Sequence, residues 1–209
     1  MHASLETLGR AAEQGRGIPI DAARELARPD RADLYDLLYW ANRVRLAHKG
    51  DRVRFCAILS AKQGRCPEDC RFCAQSARHA ASAPAFPLRQ VNEMLGAVHT
   101  CDPGNCDSFG LVTSGLGPKE GPEWDRLLET IRRMAAEGRL IACASFGVLT
   151  PLAARQLAEA GLRRYNHNLE TSPRFFPSIC TTHTFEDRVR TIRHAAAAGL
   201  QVCSGGIFG

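Results

Sequence analysis

The stretch VRFCAILSAKQGRCPEDCRFC, residues 53–73, joins a short apolar run to a loop carrying Cys66, Cys70 and Cys73. The run 53–59 is bounded by polar residues and too short for a helix, so it reads as a buried strand. Four more runs of this kind follow at 108–113, 140–146, 163–169 and 200–207. The clearest segments between them are helical: 123–137, 151–160 with Pro at its first turn, and 185–198 ending at Gly199, a stop signal before the next strand. Strand, helix, strand repetition requires a parallel sheet, open or closed into a barrel. The Ala-, Ser- and Pro-rich segment 75–87 reads as the longest connection, and loops leaving the C-terminal ends of strands are where α/β proteins keep their sites. Residues 1–50 read as a helical extension, with helices at 21–28 and 31–48. The second carries Leu34, Leu37, Leu38, Ala41, Val44 and Arg45 at helical spacing. Residues 51–209 read as the barrel part.

Composition limits what such a chain can do. With 209 residues, 44% of them hydrophobic and 23% charged, it can bury a sizeable core. Its 27 basic and 22 acidic side chains are interleaved, which argues against a nucleic-acid partner. No apolar stretch approaches the roughly 20 residues that span a bilayer, and the first thirty residues lack a signal-peptide core, so the expectation is a cytoplasmic protein without a membrane partner. Nine cysteines, an odd number, point to metal ligation or redox chemistry in preference to a disulfide framework.

The CxxxCxxC spacing brings three thiolates together. Tetrahedral zinc needs a fourth ligand, for which His79 is the candidate at hand. Three cysteines can instead hold three irons of a four-iron cluster and leave the fourth iron open to a small molecule. The cluster is the preferred reading and a structural zinc knuckle the alternative. Along the fourth run Asn166, Asn168 and Glu170 share one face, while Tyr165, His167 and Leu169 share the other. In a barrel covered on both sides, two amides and a carboxylate need a polar ligand. Arg188 is either a solvated helix charge or a ligand for a carboxylate. Cys143 and Cys203 lie within strands, where a buried inert thiol is the default. Cys101, Cys106 and Cys180 read as plain thiols. His2, His48, His99, His183 and His194 read as surface residues, and no histidine is given a catalytic role.

CxxxCxxC after the first strand, with Phe72 before its last Cys, resembles the radical S-adenosylmethionine (SAM) superfamily. Within it, GRCPEDCRFCAQSARH (64–79), YNHNLETS (165–172) and VCSGGI (202–207) are similar to the biotin synthase family, in the same order. The resemblance implies a TIM-type (β/α)8 barrel, here truncated after about five strands. It implies a 4Fe-4S cluster on Cys66, Cys70 and Cys73 whose open iron binds the amino and carboxylate groups of SAM. Phe72 would then lie near the adenine, Asn168 and Glu170 at the ribose, Arg188 at the methionyl carboxylate, and Ser114, in the stretch 113–115, near the amino group. Asn166 would contact the ureido ring of dethiobiotin. Glu170 stands where the family usually has Asp. Cys143 and Cys203 would ligate an auxiliary cluster, 2Fe-2S or a variant, that supplies sulfur. The family's third ligand aligns with Gly110, and Cys56 on the neighbouring strand is the replacement, with Cys106 next in line. The implied function is conversion of dethiobiotin to biotin, with an electron donor such as flavodoxin or ferredoxin, in a homodimer. The alternatives are another radical SAM enzyme, of the hydrogenase-maturation or methylornithine type, and a zinc-stabilised binding module. The chain stops at Gly209 directly after the fifth run, so the expectation is a truncated barrel, inactive by itself.

Overall fold

The computed structural model describes residues 5–28, 33–80 and 83–208. The chain forms two compact units, Met1–Val53 and Arg54–Gly209.

The first unit holds α1 (Leu5–Glu13), α2 (Ile20–Leu26) and α3 (Leu34–Lys49). α1 meets α3 at Gly9, where a Cβ would stand 2.3 Å from the Trp40 ring, so no larger residue fits there. Arg43 bridges the same two helices through Glu13 at 2.6 Å. The apolar stripe foreseen on α3 is little used within this unit: Leu34 and Leu38 are half exposed or more. Positions 31 and 32, the start foreseen for that helix, and His2 lie outside the described residues.

The second unit alternates β1 (Cys56–Lys62), α4 (Val91–His99), β2 (Ser108–Thr113), α5 (Pro122–Glu137), β3 (Ile141–Ser145), α6 (Pro151–Glu159), β4 (Arg164–Asn166), α7 (Phe185–Ala197) and β5 (Gln201–Cys203). The five strands are parallel and ordered β1-β2-β3-β4-β5. This is an arc of a parallel (β/α) barrel, and among the described residues β1 and β5 each have one neighbour. One strand face carries Phe109, Leu111, Ala142, Ala144 and Tyr165, which form the core with Leu127, Ile131 and Met134 of α5 and Leu157 of α6. Burying each Leu or Ile stabilises this packing by about 1.5–3 kcal/mol. The other face looks into the arc and is open at its edge, where Ile58 is 64% exposed.

β2 lies where its run was read. β1 begins three residues late because Val53 and Phe55 are exposed, and Phe55 is held by Asp107, through backbone and carboxylate. β4 and β5 are shorter than their runs. Beyond them the chains stay joined by single hydrogen bonds, from His167 N to Cys203 O and from Leu169 N to Gly205 O, both 2.9 Å. Glu170, in the left-handed region at φ 67°, ends the regular alternation. The tops of β2 and β3 are locked together. A Cβ on Gly147 (φ 86°) would stand 2.2 Å from Leu116 O, and Tyr165 Oη donates to Gly147 O at 2.6 Å while accepting from Phe146 N.

Candidate functional site

The cysteine loop is folded on itself. Gln63 and Phe86 exchange backbone hydrogen bonds, Cys66 N donates to Gln75 O, and Ala77 N donates to Cys66 O at 2.8 Å. Arg65, at φ 52°, turns the chain in the left-handed region directly before Cys66. Cys66 and Cys70 are buried and Cys73 is half-buried, while Phe72 is 42% exposed at the loop's rim. His79, tried as a zinc ligand, places its Nε2 3.0 Å from Cys70 O and so braces the loop. Ser114 is also committed: its Oγ donates to Gly64 O at 2.9 Å and its N to Lys62 O.

A second segment closes over this loop, and it was not foreseen. After β4 the chain makes one 3-10 turn, Phe176–Ser178, and returns through Cys180, Thr181, Thr182 and His183. Asp69 accepts from the backbone N of Thr181 and Thr182 and from the Thr181 hydroxyl. These bonds, the Thr181 hydroxyl first, hold the Asp69 carboxyl far below the usual carboxylate range. Glu68 Oε2 accepts from Thr182 Oγ1 and from His183 Nδ1, each at 2.6 Å. Two expectations are thereby corrected. His183 is not a surface residue, since its side chain is 7% exposed. Cys180 is not an isolated thiol, since its Sγ lies 3.8 Å from Cys70 Sγ and 3.3 Å from His183 Nδ1. Burial, with Cys180 beside it, pushes the Cys70 thiol well up. The signals for this contact are the acid pair inside CPEDC and the CTTH string, separated by more than a hundred residues with no periodicity to join them.

Arg188 connects the loop to the segment after β4. It sits in the first turn of α7, which starts at a capping box: Thr184 Oγ1 accepts from Asp187 N, and Asp187 accepts from Thr184 N. Its Nη1 donates to Asn168 O at 2.8 Å and lies 3.7 Å from Glu170 Oε1, and its Nη2 reaches Cys70 Sγ at 4.0 Å. Arg188 and Glu170 are both 8% exposed, so the reading of Arg188 as a solvated charge is overturned. Asn166 is half-buried and Asn168 exposed on the open face. His167, turned the other way, is buried, and desolvation followed by the nearby Arg188 charge lowers its pKa to about 4. A cavity of about 350 Å3 lies beside the loop and the top of β2, lined by Glu68, Ser114 and Lys62. It contains none of the cysteines or the Asn168 and Glu170 side chains, so the polar row belongs to the open inner face.

Strand register places the remaining candidates on that face. Ile58, Gly110, Cys143 and Arg164 stand side by side, and Ser60, Val112, Ser145, Asn166 and Cys203 form the next inward row. Cys56 pairs with Ser108, one row earlier. Cys143 is buried while Cys56 and Cys203 are exposed. Burial raises the Cys143 pKa, Arg164 opposes that, and Cys56 and Cys203 are near enough to add to the rise. Cys106 keeps different company: its Sγ is 3.1 Å from Ser108 O, and it acts on Cys101.

The sequence profile of the Radical SAM superfamily matches residues 61–209. The chain belongs to the radical SAM superfamily. It is 42% identical over 209 residues to the biotin synthase of Geotalea daltonii, covering all of this chain and 64% of that relative. The chain thus spans a little under two thirds of the length of that curated relative. Among solved structures, methylornithine synthase (PylB) superposes with a TM-score of 0.77 at 20% identity, over 97% of this chain and 59% of that one. HydG, a maturase of the [FeFe]-hydrogenase, gives 0.79 at 16%, over 99% and 48%. At such identities these two likenesses show the fold.

Membership of the radical SAM superfamily implies a 4Fe-4S cluster and SAM, and the residues present fit both. Ser60 Oγ, Asn166 Oδ1 and Arg188 Nε are buried polar atoms without a hydrogen-bond partner, as expected where a polar ligand completes the set. Among the described residues, three ligand atoms within 4.8 Å of one another occur at Cys70, Cys180 and His183, and the loop triad does not form such a set. No described helix is long and apolar enough to cross a membrane.

Proposed function

We propose that this chain carries the SAM-cleaving machinery of a biotin synthase, converting dethiobiotin to biotin in the cytoplasm, with an electron donor such as flavodoxin or ferredoxin and as a homodimer. The single observation that carries the reading is Arg188, whose guanidinium meets a thiol of the cysteine loop, the Asn168 carbonyl and the Glu170 carboxylate at once. A group that binds a carboxylate therefore stands beside a group that binds iron, as SAM chelated to an open iron requires. When bound, a 4Fe-4S cluster supplies the electron that cleaves SAM, and an auxiliary cluster supplies sulfur.

The chain's own residues have separable tasks. Cys66, Cys70 and Cys73 hold the first cluster, with Phe72 at the adenine. Arg188 pairs with the methionyl carboxylate, Ser114 holds the backbone near the amino group, and Asn168 and Glu170 take the ribose. Glu170, in place of the shorter acid, spends its extra length on Arg188, so the two orient each other. Asn166 offers its orphaned Oδ1 to the ureido ring of dethiobiotin. Cys143, Cys203 and Cys56 hold the auxiliary cluster, with Arg164 offsetting their negative charge. Residues 1–50 are a helical extension outside this machinery, and residues 51–209 its barrel part.

Anaerobic reconstitution, with iron and sulfide counted and electron paramagnetic resonance recorded with and without SAM, tests the reading. One reducible 4Fe-4S signal that changes on adding SAM is expected. Colourless protein with zinc and no sulfide would replace it with a zinc-stabilised module. A competent cluster whose longer relative fails to turn over dethiobiotin would point to another radical SAM reaction.

A further inference from the structure

We propose that Cys70, Cys180 and His183 form a second metal site, for a single thiophilic divalent cation such as Zn2+, that shares Cys70 with the cluster and so excludes it. Nothing in the cluster chemistry requires Cys180 or His183, yet both are placed as ligands. A tetrahedral Zn2+, with Zn–S about 2.3 Å and Zn–N about 2.0–2.1 Å, sets two sulfurs about 3.8 Å apart and a sulfur and a nitrogen about 3.5 Å apart. Here Cys70 Sγ and Cys180 Sγ are 3.8 Å apart, and the His183 ring nitrogens lie 3.3 Å (Nδ1) and 3.8 Å (Nε2) from Cys180 Sγ. All three ligand atoms lie within 4.8 Å of one another.

The surroundings complete a metal centre. Glu68 Oε2 lies 2.6 Å from His183 Nδ1 and orients the imidazole beside the two thiols. Thr182 Oγ1 holds the same carboxylate oxygen, and the Phe176 ring stands edge-on to the imidazole with centroids 5.7 Å apart. Cys70, Cys180 and Phe176 form a small apolar cluster of their own, which keeps water from the thiols. Binding releases two thiol protons to solvent and leaves one coordination position for water. The site itself stands on this geometry alone; only its competition with the cluster rests on the function proposed above.

Co2+ serves as the probe, because tetrahedral thiolate coordination gives it strong visible bands. The 209-residue chain, stripped of metal and held reduced without oxygen, is expected to take up one Co2+ with such bands and to release it to Zn2+. Cys180→Ser and His183→Gln should each weaken Co2+ binding about tenfold or more. Cys66→Ala and Cys73→Ala should leave it unchanged. Iron and sulfide uptake by Cys180→Ser at the wild-type level provides the control for folding. Wild-type Co2+ affinity in Cys180→Ser, or an equal loss in Cys66→Ala, would overturn the site. Zinc-loaded chain should assemble the cluster several-fold more slowly than stripped chain; equal rates would overturn the competition while leaving both the zinc site and the cluster assignment standing.

Discussion

Arg188 is the residue on which the candidate site turns, because it ties α7, the segment after β4 and the cysteine loop together while keeping one nitrogen unpaired. Replacing it with Gln removes a charge-assisted contact of about 1.5–3 kcal/mol. SAM binding to the reconstituted chain, measured by equilibrium dialysis, should weaken by roughly 10- to 150-fold with the iron content kept. His167 makes a separate contribution, to pH dependence. Its folded pKa is depressed to about 4 from an unfolded value near 6.5. The unfolded chain therefore binds more protons between those values, and the stability due to this group is complete above about pH 6.5 and lost as pH falls towards 4. Denaturant titrations from pH 8 to 4 should show that slope in wild type and a shallower one in His167→Gln. The face that each residue of the YNHNL string takes was legible from alternation alone. The burial of Arg188 was not, since the capping box at Thr184 and Asp187 sets where the helix begins and so which side its first charged residue presents.

At the scale of elements, β2 and the helices at 122–137, 151–159 and 185–197 were legible because Pro, Gly and apolar spacing mark their ends. β4 and β5 were overestimated, since an apolar run cannot reveal that Glu170 adopts a left-handed backbone. The Glu68 and Asp69 latch onto 181–183 was invisible because it joins two loops by polar contacts. Its weakening is testable: Asp69→Asn removes the charge that accepts three hydrogen bonds, and the reconstituted variant should lose iron to a chelator several-fold faster than wild type. A second element-level expectation concerns Gly110, between Ile58 and Cys143. A Cβ built there meets its nearest neighbours at 3.7–3.9 Å, ordinary contact distance, and the backbone is extended, so a cysteine fits without strain. Gly110→Cys should raise auxiliary iron and sulfide, and Cys56→Ser should lower them while sparing 5'-deoxyadenosine formation. Unchanged auxiliary content in Cys56→Ser would remove Cys56 from the ligand set.

For the whole molecule, a five-stranded arc exposes what a closed barrel would cover. Among the described residues β1 and β5 each have one strand neighbour, and Phe55, Ile58 and Ile207 are more than half exposed. The 209-residue chain is expected to self-associate at micromolar concentration, as light scattering would register, and to form 5'-deoxyadenosine without making biotin. A monodisperse monomer that makes biotin would refute this. The central claim, that Cys66, Cys70 and Cys73 together support SAM cleavage, is reached most directly by comparing reductive 5'-deoxyadenosine formation in the anaerobically reconstituted chain and in its triple Ala variant. Formation in the parent chain and none in the variant is the expected result; formation retained in the variant would contradict the assignment.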